Sequence, residues 1–247
     1  MGHPTDDTRD EEFRALLRAD LIAEFEKRLD PTFDADYRNR EDRNRFAATF
    51  IRTLGAERIL NIGGGGRRHL ASKLGDGCTV FEADLVGDCD LKVDLDTLER
   101  LPFADGHFDL SSAFDVLEHR ENFHFVNQEL WRVAGKAMLL SLPNAGPAIV
   151  SEVLRNRPPR NQNIHHGVYT KFYGLPLVKP RDRHRWWLFF EDIVRFYVWF
   201  EKHNACSVAF AVPRPKPARR LLAALVGKRL YYTFFCPHVW ILLRRKT

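Results

Sequence analysis

The sequence predicts an α/β protein built on a mainly parallel β-sheet that is covered by helices on both faces. Short apolar runs alternate with longer amphipathic stretches through the middle of the chain, and such alternation is typical of parallel strands joined by helical crossovers. The chain has 247 residues, of which 45% are hydrophobic. This length and composition suit one elaborated domain with a substantial core.

The region before residue 57 predicts two helices. Apolar residues recur at helical spacing from Phe13 to Leu29, and Pro31 ends the pattern. A second helix is predicted over Glu41–Leu54 and is closed by Gly55. The first of these helices is amphipathic.

From Arg58 onward, strand-like and helix-like segments alternate. The predicted helices are Arg68–Lys73, Glu121–Val133 and Glu191–His203, and the predicted strands are Arg58–Ile62, Thr79–Ala83, Leu91–Val93, Phe108–Phe114, Ala137–Leu142, Ser207–Val212 and His238–Leu243. In sheets of this kind, ligands bind at the carboxyl ends of the strands.

The net charge of +5 is unevenly distributed along the chain. The segment from Pro213 onward holds nine Lys and Arg and no Asp or Glu, so the rest of the chain has 29 basic against 33 acidic residues. A mildly acidic body argues against a nucleic-acid groove, and we expect no nucleic-acid partner.

Cysteine usage and the N-terminus indicate a cytoplasmic protein. Cys78, Cys89, Cys206 and Cys236 form no CxxC pair and have no His at ligand spacing, so free thiols and no metal site are expected. Met1–Glu12 is polar and acidic, and no apolar stretch reaches the roughly 18 residues of a membrane span.

A glycine-rich turn, Gly63–Gly66, lies where the first predicted strand gives way to a helix. Glycines there permit positive φ and let an anionic ligand approach backbone N–H groups, although a purely structural turn has the same composition. A dinucleotide fingerprint starting at Gly63 needs glycine where Arg68 stands. No Gly-Lys-Ser/Thr follows at P-loop spacing, so nucleoside triphosphates are also disfavoured.

An acidic residue follows the second predicted strand. Asp84 lies 21 residues beyond Gly63, the spacing at which a carboxylate accepts hydrogen bonds from a ribose diol. Glu82 is an alternative for this role, and both residues are also compatible with solvated loop acids. The spacing of Asp84 from the glycine turn favours an adenosine-containing cofactor.

Five segments, taken together and in order, resemble the motifs of class I S-adenosylmethionine (SAM)-dependent methyltransferases, in particular those with a type 11-like domain. They are Ile59–Gly66, Asp84-Leu85, Asp94-Leu95, Leu101–Asp109 and Phe114–His119. The resemblance covers about a third of the chain. It implies a Rossmann-like sheet with an antiparallel C-terminal strand and SAM as the cofactor.

The resemblance also implies which residues hold the cofactor. Gly63 and Gly65 would pass under its methionine portion, and Asp84 would bind its ribose. The full implied set is Asn61, Gly63, Gly64, Gly65, Asp84, Asp94 and Leu95, the last two beside the adenine, with Asp115 and Val116 near the transferred methyl. The chain departs from the family in one place, because Asn61 stands where an acidic residue often begins the glycine motif.

With this resemblance, the chain divides into four parts of one domain spanning 1–247. They are N-terminal helices at 1–57, a SAM-binding core at 58–143, an irregular substrate-side insertion at 144–190, and a C-terminal helix with the last strands at 191–247. The insertion interrupts the regular alternation with prolines, arginines and aromatic residues.

Histidines are the candidates for catalysis. A hydroxyl acceptor would be helped by a base whose pKa lies near neutrality, whereas an amine acceptor needs only to arrive unprotonated. His119 follows a strand whose carboxyl end should face the cofactor, although a structural role for it and for Glu118 remains open. The further candidates are His165, His166 and His184.

The segment Asn161–Trp187 concentrates residues suited to binding an acceptor. Arginine clamps anionic groups, and aromatic rings stack on apolar or sugar faces. The candidates are Tyr169, Tyr173, Arg183, Arg185 and Trp186. A solvated basic loop pinned by buried aromatics is the alternative. The segment loosely resembles those of bacterial small-molecule or glycan methyltransferases.

The basic C-terminal segment has two interpretations. The favoured one is that Leu221–Val226 packs on the sheet while the flanking Lys and Arg face water. The other is peripheral contact with the inner face of a membrane, which would suit a lipid-linked acceptor.

The sequence therefore predicts a SAM-dependent methyltransferase acting on an oxygen or nitrogen of a small-molecule, sugar or lipid-linked glycan acceptor. A non-catalytic SAM-binding partner or sensor on the same fold is the alternative that Asn61 keeps open. RNA methylation is a lesser alternative, since no appended RNA-binding module is recognisable.

Overall fold

Seven strands form one sheet in the computed structural model, which describes residues 6–30, 35, 37, 39–155 and 184–246. The sheet order is β3-β2-β1-β4-β5-β7-β6. The strands are β1 Arg58–Ile62, β2 Thr79–Asp84, β3 Leu91–Lys92, β4 Phe108–Phe114, β5 Ala134–Pro143, β6 Cys206–Ala211 and β7 His238–Arg245. One strand runs opposite to the other six: β7 is antiparallel to both of its neighbours, β5 and β6.

The carboxyl ends of three parallel strands, β1, β2 and β4, lie at the same edge of the sheet. Ile62, the last residue of β1, lies beside Ala83 of β2 and Ala113 of β4. The chain therefore leaves β1, β2 and β4 at the same level. The segments that begin at Gly63, Leu85 and Asp115 meet there, as expected for a ligand site of a parallel sheet.

Helices cover both faces of the sheet. The described helices are α1 Asp6–Arg18, α2 Leu21–Lys27, α3 Arg40–Thr53, α4 His69–Leu74, α5 Phe123–Val133, α6 Ala145–Arg155, α7 Phe190–His203, α8 Pro217–Val226 and α9 Lys228–Phe235. Leu60 and Ile62 pack with α2, α5 and α7 on one face, whereas Ile59 packs with α3 and α4 on the other. The predicted fold class is confirmed.

The predicted N-terminal helix is interrupted. Asp20 caps α2, because its carboxylate accepts hydrogen bonds from the backbone N–H groups of Ile22 and Ala23 at 3.1 Å each. The apolar periodicity continues across this cap. Periodicity alone therefore merged two helices, α1 and α2, into one.

The favoured interpretation of the C-terminal segment is wrong. Leu221–Val226 belongs to helix α8, and Leu221 and Leu225 are 65% and 75% exposed instead of packed on the sheet. The strand after it, β7, forms as predicted.

The remaining expectations concern thiols and membrane spans. All four cysteines are free, and burial raises the pKa of Cys236 to about 12. None of the helices in the described ranges combines the length and apolarity that crossing a bilayer requires.

Candidate functional site

The glycine turn after β1 has the conformation and the close contacts that only glycine permits. Gly63, Gly65 and Gly66 have φ of 75°, 71° and 63°. A Cβ on Gly66 would lie 2.4 Å from the Cα of Gly87, and one on Gly63 would lie 2.3 Å from a methyl carbon of Val116. The turn is therefore held between the segments that follow β2 and β4.

Acidic residues at the end of β2 fasten the glycine turn. The carboxylate of Asp84 accepts hydrogen bonds from the backbone N–H groups of Gly65 and Leu85, both at 2.7 Å. Arg68, just beyond the turn, forms ion pairs with Asp88 and Asp90 in the loop between β2 and β3. Asp84 is thus positioned by the turn that it stabilises.

A buried carboxylate lies beneath the turn. The side-chain amide of Asn61 donates to Glu82 at 2.7 Å, and its oxygen accepts from the hydroxyl of Ser112 at 3.0 Å. A Cβ on Gly64 would lie 2.6 Å from a carboxylate oxygen of Glu82. Glu82 therefore supplies, from the neighbouring strand, the acid that the glycine motif lacks at Asn61.

Replacing Glu82 with glutamine is expected to change how stability depends on pH. Burial raises the pKa of Glu82 above its ordinary value of 4.5. The folded protein then keeps this proton to a higher pH than the unfolded chain, so stability falls as the pH rises from 4.5 through the raised pKa. Glutamine accepts the same hydrogen bond from Asn61 without titrating.

We expect the free energy of unfolding of Glu82→Gln, relative to the wild type, to increase between pH 4.5 and neutrality in urea denaturation. Glu99→Gln is the matched control, because it makes the same substitution at an exposed side chain. A difference for Glu82→Gln that stays constant across this pH range would contradict the buried carboxylate.

Asp115, at the end of β4, is held by three partners. Arg43 of α3 forms an ion pair with it at 2.6 Å, and the hydroxyls of Tyr37 and Ser141 donate to it at 3.0 and 2.8 Å. Burial and the charge of Asp115 raise the pKa of Tyr37, so its hydroxyl stays protonated as a donor. Asp115 itself has a φ of 53°, a strained conformation of the kind that clusters at functional sites.

Two histidines and a glutamate meet beside Asp115. The Nε2 of His119 lies 3.6 Å from the Oε1 of Glu118, and the rings of His119 and His184 stand nearly perpendicular with centroids 4.5 Å apart. Glu118 is 1% exposed. His184 is brought here because the backbone N–H of the next residue, Arg185, donates to the carbonyl of Glu118 at 2.7 Å.

One cavity of about 320 Å³ joins the glycine turn to this cluster. Such a volume is within the range of small-molecule sites. Its described lining residues are Tyr37, Asn39, Arg40, Arg43, Asn44, Asn61, Ile62, Gly63, Gly64, His69, Phe114, Asp115, Glu118, His119, Pro143 and His184. The cavity is therefore lined by backbone groups, cations, two carboxylates and imidazoles.

A second cavity of about 480 Å³ is lined mainly by aromatic and aliphatic side chains. Trp186 lines it, and its indole N–H donates to the carbonyl of Arg120 at 2.7 Å. Arg185, by contrast, pairs with Glu121 at the surface. Of these two predicted acceptor-binding residues, Trp186 lines the second of the two cavities described above, and Arg185 is not among the described lining residues of either.

The structure brings together six of the predicted site residues at the first cavity: Asn61, Gly63, Gly64, Asp115, His119 and His184. The described lining does not include Gly65, Asp84, Asp94, Leu95 or Val116. Leu95 belongs to the core, and Asp94 accepts from the N–H of Asp96 in its own loop. The predictions for His165, His166, Tyr169, Tyr173 and Arg183 lie outside the described residues.

Two arginines and a tyrosine that line the cavity were not predicted from the sequence. Arg40, Arg43 and Tyr37 come from the segment before β1, where the pattern predicted only an amphipathic helix. The sequence does show that Arg40 and Arg43 lie one turn apart on the same side of a helix. It does not show that this side faces the cavity, because that depends on how α3 packs against the sheet.

Comparisons with known proteins give likeness in structure alone. No family profile matches the sequence, and no curated protein matches it. The methyltransferase domain of bacterial CtHen1-C aligns over 84% of this chain and 98% of its own length, with 12% identity and a TM-score of 0.52. The plantazolicin methyltransferase BpumL, solved in complex with SAH, aligns over 98% and 91% with 10% identity and a TM-score of 0.50. At these identities the likeness shows a shared fold.

Proposed function

We propose that this chain, which has the fold of class I SAM-dependent methyltransferases, transfers a methyl group from SAM to an oxygen or nitrogen of an acceptor. The acceptor would be a small molecule, a sugar or a lipid-linked glycan. The observation that carries the proposal is the single cavity joining the glycine turn to His119 and His184. The complex of BpumL with SAH supports the choice of cofactor through the shared fold.

The residues around the glycine turn fit the methionine end of SAM. Glu82 packs directly against Gly64, which lines the cavity, so a ligand ammonium at the glycine turn would come near a carboxylate. Arg43 lines the same cavity, and a guanidinium nitrogen of Arg40 would lie 3.3 Å from a Cβ on Gly65. These two cations suit a ligand carboxylate.

The other end of the cavity fits the chemistry of methyl transfer. SAM, when bound, supplies a methyl group that is already activated as a sulfonium, so the protein mainly has to align the acceptor and exclude water. His119 lines the cavity and is suited to remove a proton from a hydroxyl acceptor. Asp115 is fixed by its ion pair with Arg43, so it shapes the cavity and is not suited to act as the base.

The structure reduces the case for a non-catalytic SAM-binding protein. That alternative depended on the missing acid at Asn61, and Glu82 places a carboxylate 2.7 Å from the Asn61 amide. An enzyme and a sensor would both bind SAM, so turnover must separate them.

Turnover of SAM to S-adenosylhomocysteine with a panel of hydroxyl and amine acceptors tests the proposal. We expect calorimetric binding of SAM at micromolar concentrations and turnover with at least one acceptor. Gly64→Ala should weaken both, because its Cβ would lie 2.6 Å from a carboxylate oxygen of Glu82, which would have to move. Gly77→Ala is the matched control, since nothing lies within 4 Å of a Cβ there.

Failure of SAM to bind the wild type would overturn the proposal. Binding without turnover for any acceptor would favour the sensor function instead.

Replacing Asp84 with alanine should weaken SAM binding by about 1–3 kcal/mol, because it removes charge-assisted hydrogen bonds to the ribose. It also removes the acceptor of the Gly65 N–H. Asp88→Ala is the control, since it removes the same charge from the same loop at a side chain that is 75% exposed. Equal affinities for wild type and Asp84→Ala in calorimetry would move the ribose-binding role to another residue.

A further inference from the structure

The cluster of Glu118, His119 and His184 has the composition of a metal site. Their ligand atoms all lie within 4.8 Å of one another. One carboxylate with two imidazoles is a ligand set that proteins use for catalytic divalent transition metals, with positions left open for another ligand. Cysteine spacing predicted no metal site, and this cluster contains no cysteine.

The geometry of the cluster is close to what an ion requires. Ligand atoms bound to one ion at zinc-like distances lie about 3.0–3.4 Å apart, and Glu118 Oε1 and His119 Nε2 are 3.6 Å apart. Small side-chain rotations would therefore complete the set. Backbone hydrogen bonds position the third ligand, His184. The N–H groups of the next two residues, Arg185 and Trp186, both donate to the carbonyl of Glu118.

The cluster is enclosed by the protein. Glu118 is 1% exposed, and His119 has a side chain that is 11% exposed. Packing of this kind holds ligand atoms in a fixed arrangement, which favours the binding of an ion. The cavity that reaches the glycine turn opens on the same three side chains, so an ion there would face the acceptor space.

We propose that Glu118, His119 and His184 bind a divalent transition-metal ion such as Zn²⁺ or Mn²⁺, and that this ion holds a hydroxyl oxygen of the acceptor. The assignment of a hydroxyl acceptor rests on the proposed function, whereas metal binding does not. The ion would favour ionisation of the hydroxyl, as it does for water. With His119 holding the ion in place of acting as the base, the hydroxyl gives its proton to solvent, and its oxygen attacks the methyl carbon. The carbon–sulfur bond then breaks with its electron pair left on sulfur, giving a methyl ether and S-adenosylhomocysteine.

Metal binding is tested by titrating chelator-treated protein with Zn²⁺ or Mn²⁺ in a calorimeter, without SAM. We expect one equivalent to bind, and His184→Ala and Glu118→Gln to weaken binding at least tenfold. His203→Ala is the matched control, because His203 also contacts a carboxylate, that of Glu12 at 2.9 Å, but lies away from the cavity. Circular dichroism establishes that each variant is folded.

Absence of saturable binding, or equal binding by the wild type and folded His184→Ala, would overturn the metal site. Turnover of hydroxyl acceptors by the chelated enzyme at the undiminished rate would overturn the ion's role in the reaction. If the metal binds but SAM does not, the proposed function fails and the metal site stands.

A different observation concerns helix α8 at the surface. Leu221 and Leu225, one turn apart on one face of α8, are 65% and 75% exposed, and Leu230 of α9 is 50% exposed. Exposed leucines adjacent in this way are typical of interaction sites.

Positive charge surrounds these leucines. Lys216, Arg219 and Arg220 are exposed, and none of them forms an ion pair with an acid in the described ranges. Their neighbours Lys228 and Arg229 do pair, with Glu26 and Glu191. An apolar helix face beside cations that no acid in the described ranges neutralises is complementary to an anionic lipid surface.

We propose that α8 lies in the headgroup layer of an anionic membrane, with Leu221 and Leu225 inserted. Sedimentation with phosphatidylglycerol vesicles should carry the protein down at low salt, whereas neutral phosphatidylcholine vesicles should not. Leu221→Ser with Leu225→Ser should reduce binding at least tenfold. Leu154→Ser is the control, because Leu154 is 78% exposed on another helix, α6.

No sedimentation with anionic vesicles would overturn this surface. So would an equal loss of binding with Leu154→Ser.

Discussion

Replacing His119 with alanine should slow methyl transfer by about 100-fold or more while SAM affinity stays within about threefold. His119 lines the cavity next to Glu118 and His184. Its loss removes either a base or an ion ligand from the acceptor side and leaves the cofactor side intact. Single-turnover formation of S-adenosylhomocysteine measures the rate, and calorimetry measures the affinity.

His107→Ala is the control for this prediction, because His107 stacks on Phe103 before the start of β4 and should not change the rate. An undiminished rate in His119→Ala would make His119 a structural residue. A loss of SAM affinity as large as the loss of rate would place His119 on the cofactor side instead.

Replacing Asp115 with alanine should lower the free energy of unfolding by about 3 kcal/mol, because it leaves a buried cation without its counter-charge. Arg43 has a side chain that is only 10% exposed and pairs with Asp115 at 2.6 Å. Alanine also tolerates the positive φ of this position poorly. Urea denaturation with linear extrapolation gives the free energy.

The double variant Arg43→Met with Asp115→Ala separates the two causes. Removing the cation should recover part of the loss, so the double variant should be less destabilised than the two single changes added together. A loss below about 1 kcal/mol in Asp115→Ala would mean that water already screens Arg43.

The sheet and the glycine turn are predictable because local patterns determine them. Buried parallel strands are continuous apolar runs, so β1 and β4 were found with their observed bounds. Gly63 and Gly66 mark a turn where a Cβ would clash. His119 was expected at this edge because it follows a strand whose end lies there, and it lines the cavity.

The remaining parts of the site depend on tertiary contacts that leave no local pattern. Arg43 reaches Asp115 across 72 residues of chain, and Arg185 reaches Glu118 through backbone groups that carry no sequence signal. The position of helix α8 was also not predictable from its local pattern. An apolar run such as Leu221–Val226 indicates an amphipathic element but does not say whether its apolar face meets the sheet or the surface.

A crystal structure of the protein with S-adenosylhomocysteine tests the central claim most directly. We predict that the amino-acid end of the ligand lies over Gly63 and Gly64 near Arg43, with its sulfur facing His119 and His184. Binding at any other place, or a sulfur turned away from the two histidines, would contradict the account.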